Sequence, residues 1–356
     1  LKRRRPDPRH NLSSNELIHF AVEPVLAEAL SAARPALLRQ YPVTAAAIDE
    51  IGGHLGLHQD ELMLAPGSDS LLRQIAWYYA RTATGSPTLI LQWPNYDAWE
   101  QVVAASGLEL RRIVAPQSDG ASQDDLLLAA ARLSSRALVA LSTPNGPGGR
   151  VVPKGVLDEL VEISRERDHL LVIDSCYQAF HGPLTTQLER RGANVLVVQT
   201  LSKSHGLAGA RMAVLAGEPA LIAALAQDRL EQTVSATTVE LARAVLSHAG
   251  AFTRIWSDIA TAREHAAVEL RALGFSPIES GGNFLTVAVG TQHDAAAVTH
   301  GFSARGYRIR ELTAAQGLPG HVRFTVGDPQ STTQTITVFR DVVANLHLGQ
   351  PVIATT

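Results

Sequence analysis

Five apolar runs of strand length, at 88–93, 137–142, 170–174, 194–199 and 211–216, recur along the chain with polar or glycine-bearing stretches behind them. Runs apolar on both faces predict parallel strands covered by helices on either side. Residues 96–106 and 154–167 have helical spacing, and in 154–161 the apolar residues fall on one side with the charges opposite. Strand alternating with helix predicts an α/β fold. Residues 221–272 are almost continuously helical in character. The last 80 residues change rhythm, with short strands expected at 284–289 and 322–326, as in a second, smaller α+β unit. A chain of 356 residues exceeds the roughly 250 to 300 that one core usually serves, so more than one domain is expected.

In open α/β sheets, ligands bind beyond the carboxyl ends of the strands. The chemistry is therefore sought in Trp93 to Tyr96, Ser142 to Gly149, Asp174 to Tyr177 and Thr200 to Lys203. Lys203 follows a buried run, with Thr200 and Ser202 before it and Arg211 eight residues on. It is either a surface lysine in a Gly-rich turn or a desolvated amine able to form a Schiff base. Asp174 ends an apolar strand and needs a cationic or donating partner, from an ion pair or from a protonated ring nitrogen. Around Gly67, Ser68 and Asp69 a strand end passes through a turn into a helix start, which is either a plain N-cap or a phosphate site.

Composition narrows these options. Arginine supplies all but three of the basic side chains, the lysines being Lys2, Lys154 and Lys203. Lys2 lies in a basic tail and Lys154 follows Pro153 at a helix start, which leaves Lys203 as the Schiff-base candidate. With 31 Lys plus Arg against 34 Asp plus Glu, the chain lacks the cationic surplus of a nucleic-acid binder. The single cysteine, Cys176, cannot form an internal disulfide. No apolar stretch is long enough to span a membrane, and the first eleven residues resemble neither signal peptide nor anchor, so a cytoplasmic enzyme is expected. His54 and His58 stand four apart without an acidic third ligand, and no metal is expected. No Gly-x-Ser-x-Gly elbow of an α/β hydrolase is present.

The ordered set Asn11-Leu-Ser-Ser-Asn-Glu16, Arg39-Gln-Tyr-Pro42, Gly67-Ser-Asp69, Pro94-Asn-Tyr96, Pro144-Asn-Gly-Pro147, Asp174-x-x-Tyr177, Thr200-Leu-Ser-Lys203 and Arg323-Phe-Thr-Val-Gly327 resembles the fold-type I, class I/II aminotransferases that use pyridoxal 5′-phosphate (PLP). Within them it is similar to the histidinol-phosphate branch. The resemblance implies a mixed, mostly parallel seven-stranded sheet between helices in a large domain at 41–260. Residues 1–40 with 261–356 would form the small α+β domain.

It also implies roles. Lys203 would hold PLP and shuttle a proton, Asp174 would pair with the pyridine nitrogen, and Tyr177 would donate to the ring hydroxyl while Tyr96 stacks on the ring. Gly67, Ser68, Asp69, Thr200, Ser202 and Arg211 would surround the phosphate. Tyr41 would reach the cofactor of a neighbouring subunit, implying a homodimer. Arg323 would take the substrate carboxylate. Asn15 and Glu16 would line the substrate site, and Arg310 would either contact a distal anionic group or pair with Glu311 or another acid. The substrates implied are an amino donor, as an amino acid or amino-alcohol phosphate, and a 2-oxo acid acceptor. PLP-dependent decarboxylation, elimination, oxidation or cyclisation is the alternative, and a non-catalytic PLP-binding protein the remote one.

Three departures cluster where the amino substrate would lie. Gly146 stands where the family usually has an asparagine that shares the ring hydroxyl with the tyrosine, leaving Tyr177 alone unless Asn145 or a water substitutes. Residues 17–20 replace the usual Asn-Pro and Gly-Pro pattern. His205 occupies a position that is commonly aromatic.

Overall fold

Side chains along the central strands alternate between two apolar clusters, because successive Cβ atoms of a strand point to opposite faces. Ile90, Val139, Leu141, Leu171, Ile173 and Val197 enter one cluster, while Leu89, Leu91, Leu138, Ala140, Val172 and Val198 enter the other. The computed structural model describes residues 10–31, 34–39, 41–42, 44–114, 122–227 and 233–348. The basic run from Lys2 to Arg5, and Gln40 of the Arg39 to Pro42 motif, lie outside the described residues.

One sheet contains β1 (Leu62–Ala65), β2 (Thr88–Trp93), β3 (Glu109–Val114), β4 (Leu138–Ser142), β5 (Leu170–Asp174), β6 (Val195–Thr200) and β7 (Ala213–Ala216). Their spatial order is β1-β7-β6-β5-β4-β2-β3. The pairs β2/β3, β2/β4, β4/β5 and β5/β6 are parallel. The run at 211–216, expected as a parallel strand, is antiparallel to both its neighbours. Its connection, residues 201–212, holds only the one-turn helix Leu201–Ser204 where parallel crossovers usually carry a long covering helix, and the chain turns back. Helices Ser68–Thr82 and Pro219–Ala226 pack on one face through Leu71, Ile75 and Leu225. Helices Gln123–Leu133, Lys154–Glu166 and Ala236–Ser247 pack on the other through Leu127, Leu160 and Ala242.

The helix Ala249–Ala272 runs unbroken through position 260, and the change of sheet comes after it. A four-stranded antiparallel sheet follows, with β8 (Ser276–Pro277), β9 (Phe284–Ala288), β10 (Arg310–Leu312) and β11 (His321–Thr325) in the order β10-β11-β9-β8. The segment from His10 onward lies against this sheet. Leu12 N–H donates to Arg308 O at 2.7 Å, and Leu12 O accepts from Thr325 N–H at 2.8 Å. That strap then passes over the carboxyl ends of β5 and β6. Among the described residues, no helix is long and apolar enough to cross a membrane.

Candidate active site

The carboxyl ends of β2, β4, β5 and β6 lie side by side in the sheet, so the polar residues that follow them converge on one place. There a cavity of about 280 Å³ opens, walled on its far side by residues 13–15 of the strap and by β10 and β11. Lys203, Asp174 and Tyr177 line it. So do Asn15, Ser68, Asp69, Tyr96, Thr200, Ser202, Arg211, Arg310 and Arg323.

Four expected site residues are elsewhere. Glu16 lines a second cavity with His19 and Phe20, because the chain turns sharply at Asn15 and its neighbours diverge. Its charge still reaches the Lys203 amine and supports protonation there. Asn145 is buried behind the wall, its Nδ2 donating to Pro94 O at 2.6 Å, so it does not substitute at Tyr177. Gly67 sits just behind Ser68 as the N-cap of Ser68–Thr82. Tyr41 is 81% exposed and does not line this chain's cavity.

Thr200 caps the short helix that carries the lysine, its Oγ1 accepting from Ser202 N–H at 3.1 Å and donating to Met212 O at 2.9 Å. Lys203 Nζ donates to Ser14 O at 2.6 Å. Burial, followed by the neighbouring Arg323 charge, lowers its pKa from 10.5 to about 8. Asp174 is buried, which pushes its carboxyl up. It accepts from Cys176 N–H at 3.1 Å and from Ser142 Oγ at 3.4 Å, yet no cationic side chain among the described residues pairs with it. Burial likewise raises the Cys176 thiol and the Tyr96 hydroxyl, the latter with Asp69 beside it.

Asn15 supports Tyr177 from the side opposite the loop that carries Gly146. Its Nδ2 donates to Tyr177 Oη at 2.9 Å, and a Cβ at Gly146 would lie 3.9 Å from the same oxygen. Asn15 is 1% exposed and adopts φ 54°, a left-handed conformation that asparagine tolerates better than most residues. Its N–H donates to Thr325 Oγ1 at 3.1 Å, and its carbonyl accepts from Asn283 Nδ2 at 3.2 Å, so the small sheet fixes the turn. Burial raises the Tyr177 hydroxyl, while Arg323 and Asn15 oppose the rise.

Opposite the lysine, the positive end of Ser68–Thr82 faces Arg211. Gly67 has φ 86°, and a Cβ there would come within 2.5 Å of the Arg211 guanidinium. Arg211 itself adopts φ 58° and holds Asp69 at 3.1 Å. Ser202 Oγ is buried nearby without a hydrogen-bond partner. Helix dipole, guanidinium and unpartnered hydroxyl together suit a phosphate.

Arg323 leans over the Phe284 ring, 5.3 Å from its centroid, and donates to Ser13 O at 3.1 Å. Its Nε is buried and unpartnered. Arg310 faces the cavity and pairs not with Glu311 but with Asp97, at 2.9 Å. Asp97 and Gln316 belong to the wall and went unrecognised in the sequence, while Asn95, Ser142, Ser13 and Ser14, also in the wall, lay within the expected motifs without a role of their own. Asp97 had one local signal, its place directly after Tyr96. Asn95 bridges two strand ends, accepting from Ser142 Oγ and from Tyr96 N–H, each at 2.7 Å.

PLP presents an aldehyde, a ring nitrogen that can carry a proton, and a phosphate. The Lys203 amine, the cation-free Asp174 carboxylate and the Ser68/Arg211/Ser202 cradle match these three groups, so the residues fit the cofactor. Fold and site define a PLP enzyme of fold-type I. The family model for aminotransferase class I and II matches residues 9–342, and the chain belongs to that family. It is 30% identical to a histidinol-phosphate aminotransferase of Methylibium petroleiphilum over 86% of this chain and 82% of that protein. It is 29% identical to one of Paenarthrobacter aurescens over 90% and 86% of the two chains. A solved histidinol-phosphate aminotransferase of Sinorhizobium meliloti in complex with PLP superposes with a TM-score of 0.77 at 22% identity, over 95% of this chain and 91% of that one. This protein is a PLP-dependent aminotransferase.

The neutral fraction of Lys203 grows as pH rises through about 8. PLP uptake by cofactor-free protein is therefore expected to quicken with pH through that midpoint and to level off about one unit above it. Arg323→Gln removes a neighbouring positive charge and should move the midpoint upward. Stopped-flow absorbance checks both, and a midpoint indifferent to Arg323→Gln would contradict the electrostatic account.

Proposed function

We propose that this aminotransferase works between an amino donor whose anionic group sits on Arg323, as an amino acid or amino-alcohol phosphate, and a 2-oxo acid acceptor. The observation that carries this reading is one cavity holding a lysine amine of lowered pKa, a buried carboxylate without a cation and a guanidinium without a carboxylate. Bound PLP supplies the electron sink for breaking the donor's α C–H bond.

The protein's own groups do the rest. Lys203 Nζ holds the cofactor's aldehyde and, once freed, moves the proton at the substrate α-carbon. With a pKa of about 8 it is uncharged in roughly a tenth of molecules at neutral pH, so it accepts a proton without a large penalty. Asp174 keeps the ring nitrogen protonated, and that nitrogen in turn provides the cation its burial demands. Tyr177 donates to the ring hydroxyl while Asn15 Nδ2 holds the phenol oxygen in place. Tyr96, its backbone fixed by Asn95, stacks against the ring. Arg211, Ser68, Asp69, Thr200 and Ser202, with Gly67 behind them, enclose the phosphate. Arg323 offers its two-pronged face to the substrate anion.

The same reading includes a homodimer in the cytoplasm. Tyr41 and Leu38, 81% and 82% exposed on one short segment, support an interface there, with Tyr41 reaching the partner's cofactor. It also includes the division into 41–260 and 1–40 with 261–356, which the separate sheets at 62–216 and 276–325 support.

An amino donor is expected to convert the bound cofactor to its pyridoxamine form, and a 2-oxo acid to reverse it, with Lys203→Ala blocking borohydride attachment of the cofactor. Carbon dioxide release without that conversion would sink the reading. Asn15→Ala should weaken PLP retention by about 1 kcal/mol, the scale of one hydrogen bond, and adding Gly146→Asn should restore it, as read by equilibrium dialysis. Tyr41→Phe is expected to loosen PLP without altering the sedimentation mass, and a monomeric wild-type protein would refute its role.

A further inference from the structure

Arg310 and Arg323 are directly opposed in the antiparallel pairing of β10 with β11, so their side chains emerge next to each other on one face. Two free guanidiniums so placed would clamp a dianion such as a phosphate monoester. Here a third group intervenes. Asp97, arriving from the end of β2 on the opposite wall, sets Oδ2 2.9 Å from Arg310 Nη2, and Gln316 Nε2 donates to the same oxygen at 3.4 Å. Arg211 also meets a carboxylate, Asp69, but the N-terminus of Ser68–Thr82 and the unpartnered Ser202 Oγ add anion-binding donors there that Arg310 lacks.

The cavity's charged groups then sort by partner. Its cations are Lys203, Arg211, Arg310 and Arg323, and its acids Asp69, Asp97 and Asp174. Lys203 and Asp174 belong to the cofactor, and two arginines hold carboxylates. Among the described residues, Arg323 alone of the cavity's arginines has no carboxylate, and it also carries a buried, unpartnered Nε.

We infer that Asp97 is a specificity-determining residue that limits the substrate to one anionic group, an α-amino acid with an uncharged or cationic side chain and not a phosphate ester. This rests on the proposed role of Arg323 and narrows the substrate class given with it. The α-carboxylate takes Arg323. A second anion reaching for Arg310 must either break its ion pair or lie against the Asp97 carboxylate, and like charges so juxtaposed are disfavoured. A distal donor, by contrast, finds an acceptor in Asp97. The pair is only partly buried, with side chains 43% and 39% exposed, so its effect lies in selection between ligands and not in stability.

The test uses the PLP-loaded protein, wild type and Asp97→Asn, with acetate and inorganic phosphate as probes read by the shift in cofactor absorbance. The ratio of phosphate to acetate affinity is expected to rise at least about tenfold in Asp97→Asn, a change of ~1.4 kcal/mol. The ratio of kcat/KM for histidinol phosphate to that for α-amino acids with uncharged side chains should rise in parallel. Asp97→Ala, read in the same way, guards against a fold defect peculiar to one substitution. The inference is overturned if wild type binds phosphate as well as both variants do, or if it uses histidinol phosphate better than every α-amino acid. Failure of the amino-transfer reading looks different: no donor converts the cofactor, while phosphate affinity still responds to Asp97→Asn, which upholds the charge limit.

Discussion

The Asp174 carboxylate is held out of water with no cation of its own. It leaves the central strand β5, whose neighbours β4 and β6 are buried along their length, so the sheet's carboxyl edge is its one polar exit. Neutral donors from Cys176 and Ser142 meet part of its demand. The remainder calls for a positive charge arriving from the cavity, since an unpaired buried carboxylate costs several kcal/mol unless it becomes protonated. That single demand explains why aromatic, phosphate-holding and amine groups converge on the same edge. Each strand end contributes one of them, and the apolar cores on both faces keep the ends in register.

The second constraint is the strap at residues 10–16. Without it, Lys203 and Arg323 would be two cations sharing the cavity with less to offset them, and the Arg323 charge already lowers the Lys203 pKa. The strap gives each a carbonyl, from Ser14 and Ser13 respectively, and adds the Asn15 amide on Tyr177. Its own position depends on Leu12 pairing to Arg308 and Thr325, and on Asn283 beneath the turn. Small sheet, strap and cofactor edge therefore form one connected set of hydrogen bonds.

How much of this the sequence discloses follows from what is local and what is not. Strands β2, β4, β5 and β6 are legible because both faces are buried and their inner residues are mostly apolar. The edge strand β3 is not, since Glu109, Leu110, Arg111 and Arg112 face water on one side or both. The direction of β7 escapes for another reason: burial makes a strand apolar whichever way it runs. Lys203 and Asp174 are found from their places after buried runs, and the scarcity of lysine makes the first unambiguous. Asn15 on Tyr177 spans 162 positions and Arg310 on Asp97 spans 213, and no periodicity carries contacts of that range. Glu16 falls outside the cavity lining because the turn at Asn15 separates it from its neighbour in the motif.

The departures at Gly146 and Asn15 belong together physically. A Cβ at position 146 would meet only the Tyr177 ring, at 3.6 Å, so the missing side chain is not forced by crowding. What changes is the direction of support. The family's donor on the β4 loop would reach the ring hydroxyl beside the tyrosine, whereas Asn15 supports the phenol itself from the strap that also holds Arg323 through Ser13. The supports of the groups proposed for the cofactor ring and for the substrate anion, Asn15 on Tyr177 and Ser13 on Arg323, thereby lie two residues apart on one segment held by β11. Residues 13 to 15 thus join the hydrogen bonds on Arg323 and on Tyr177 in one segment whose own anchor is Thr325 of β11.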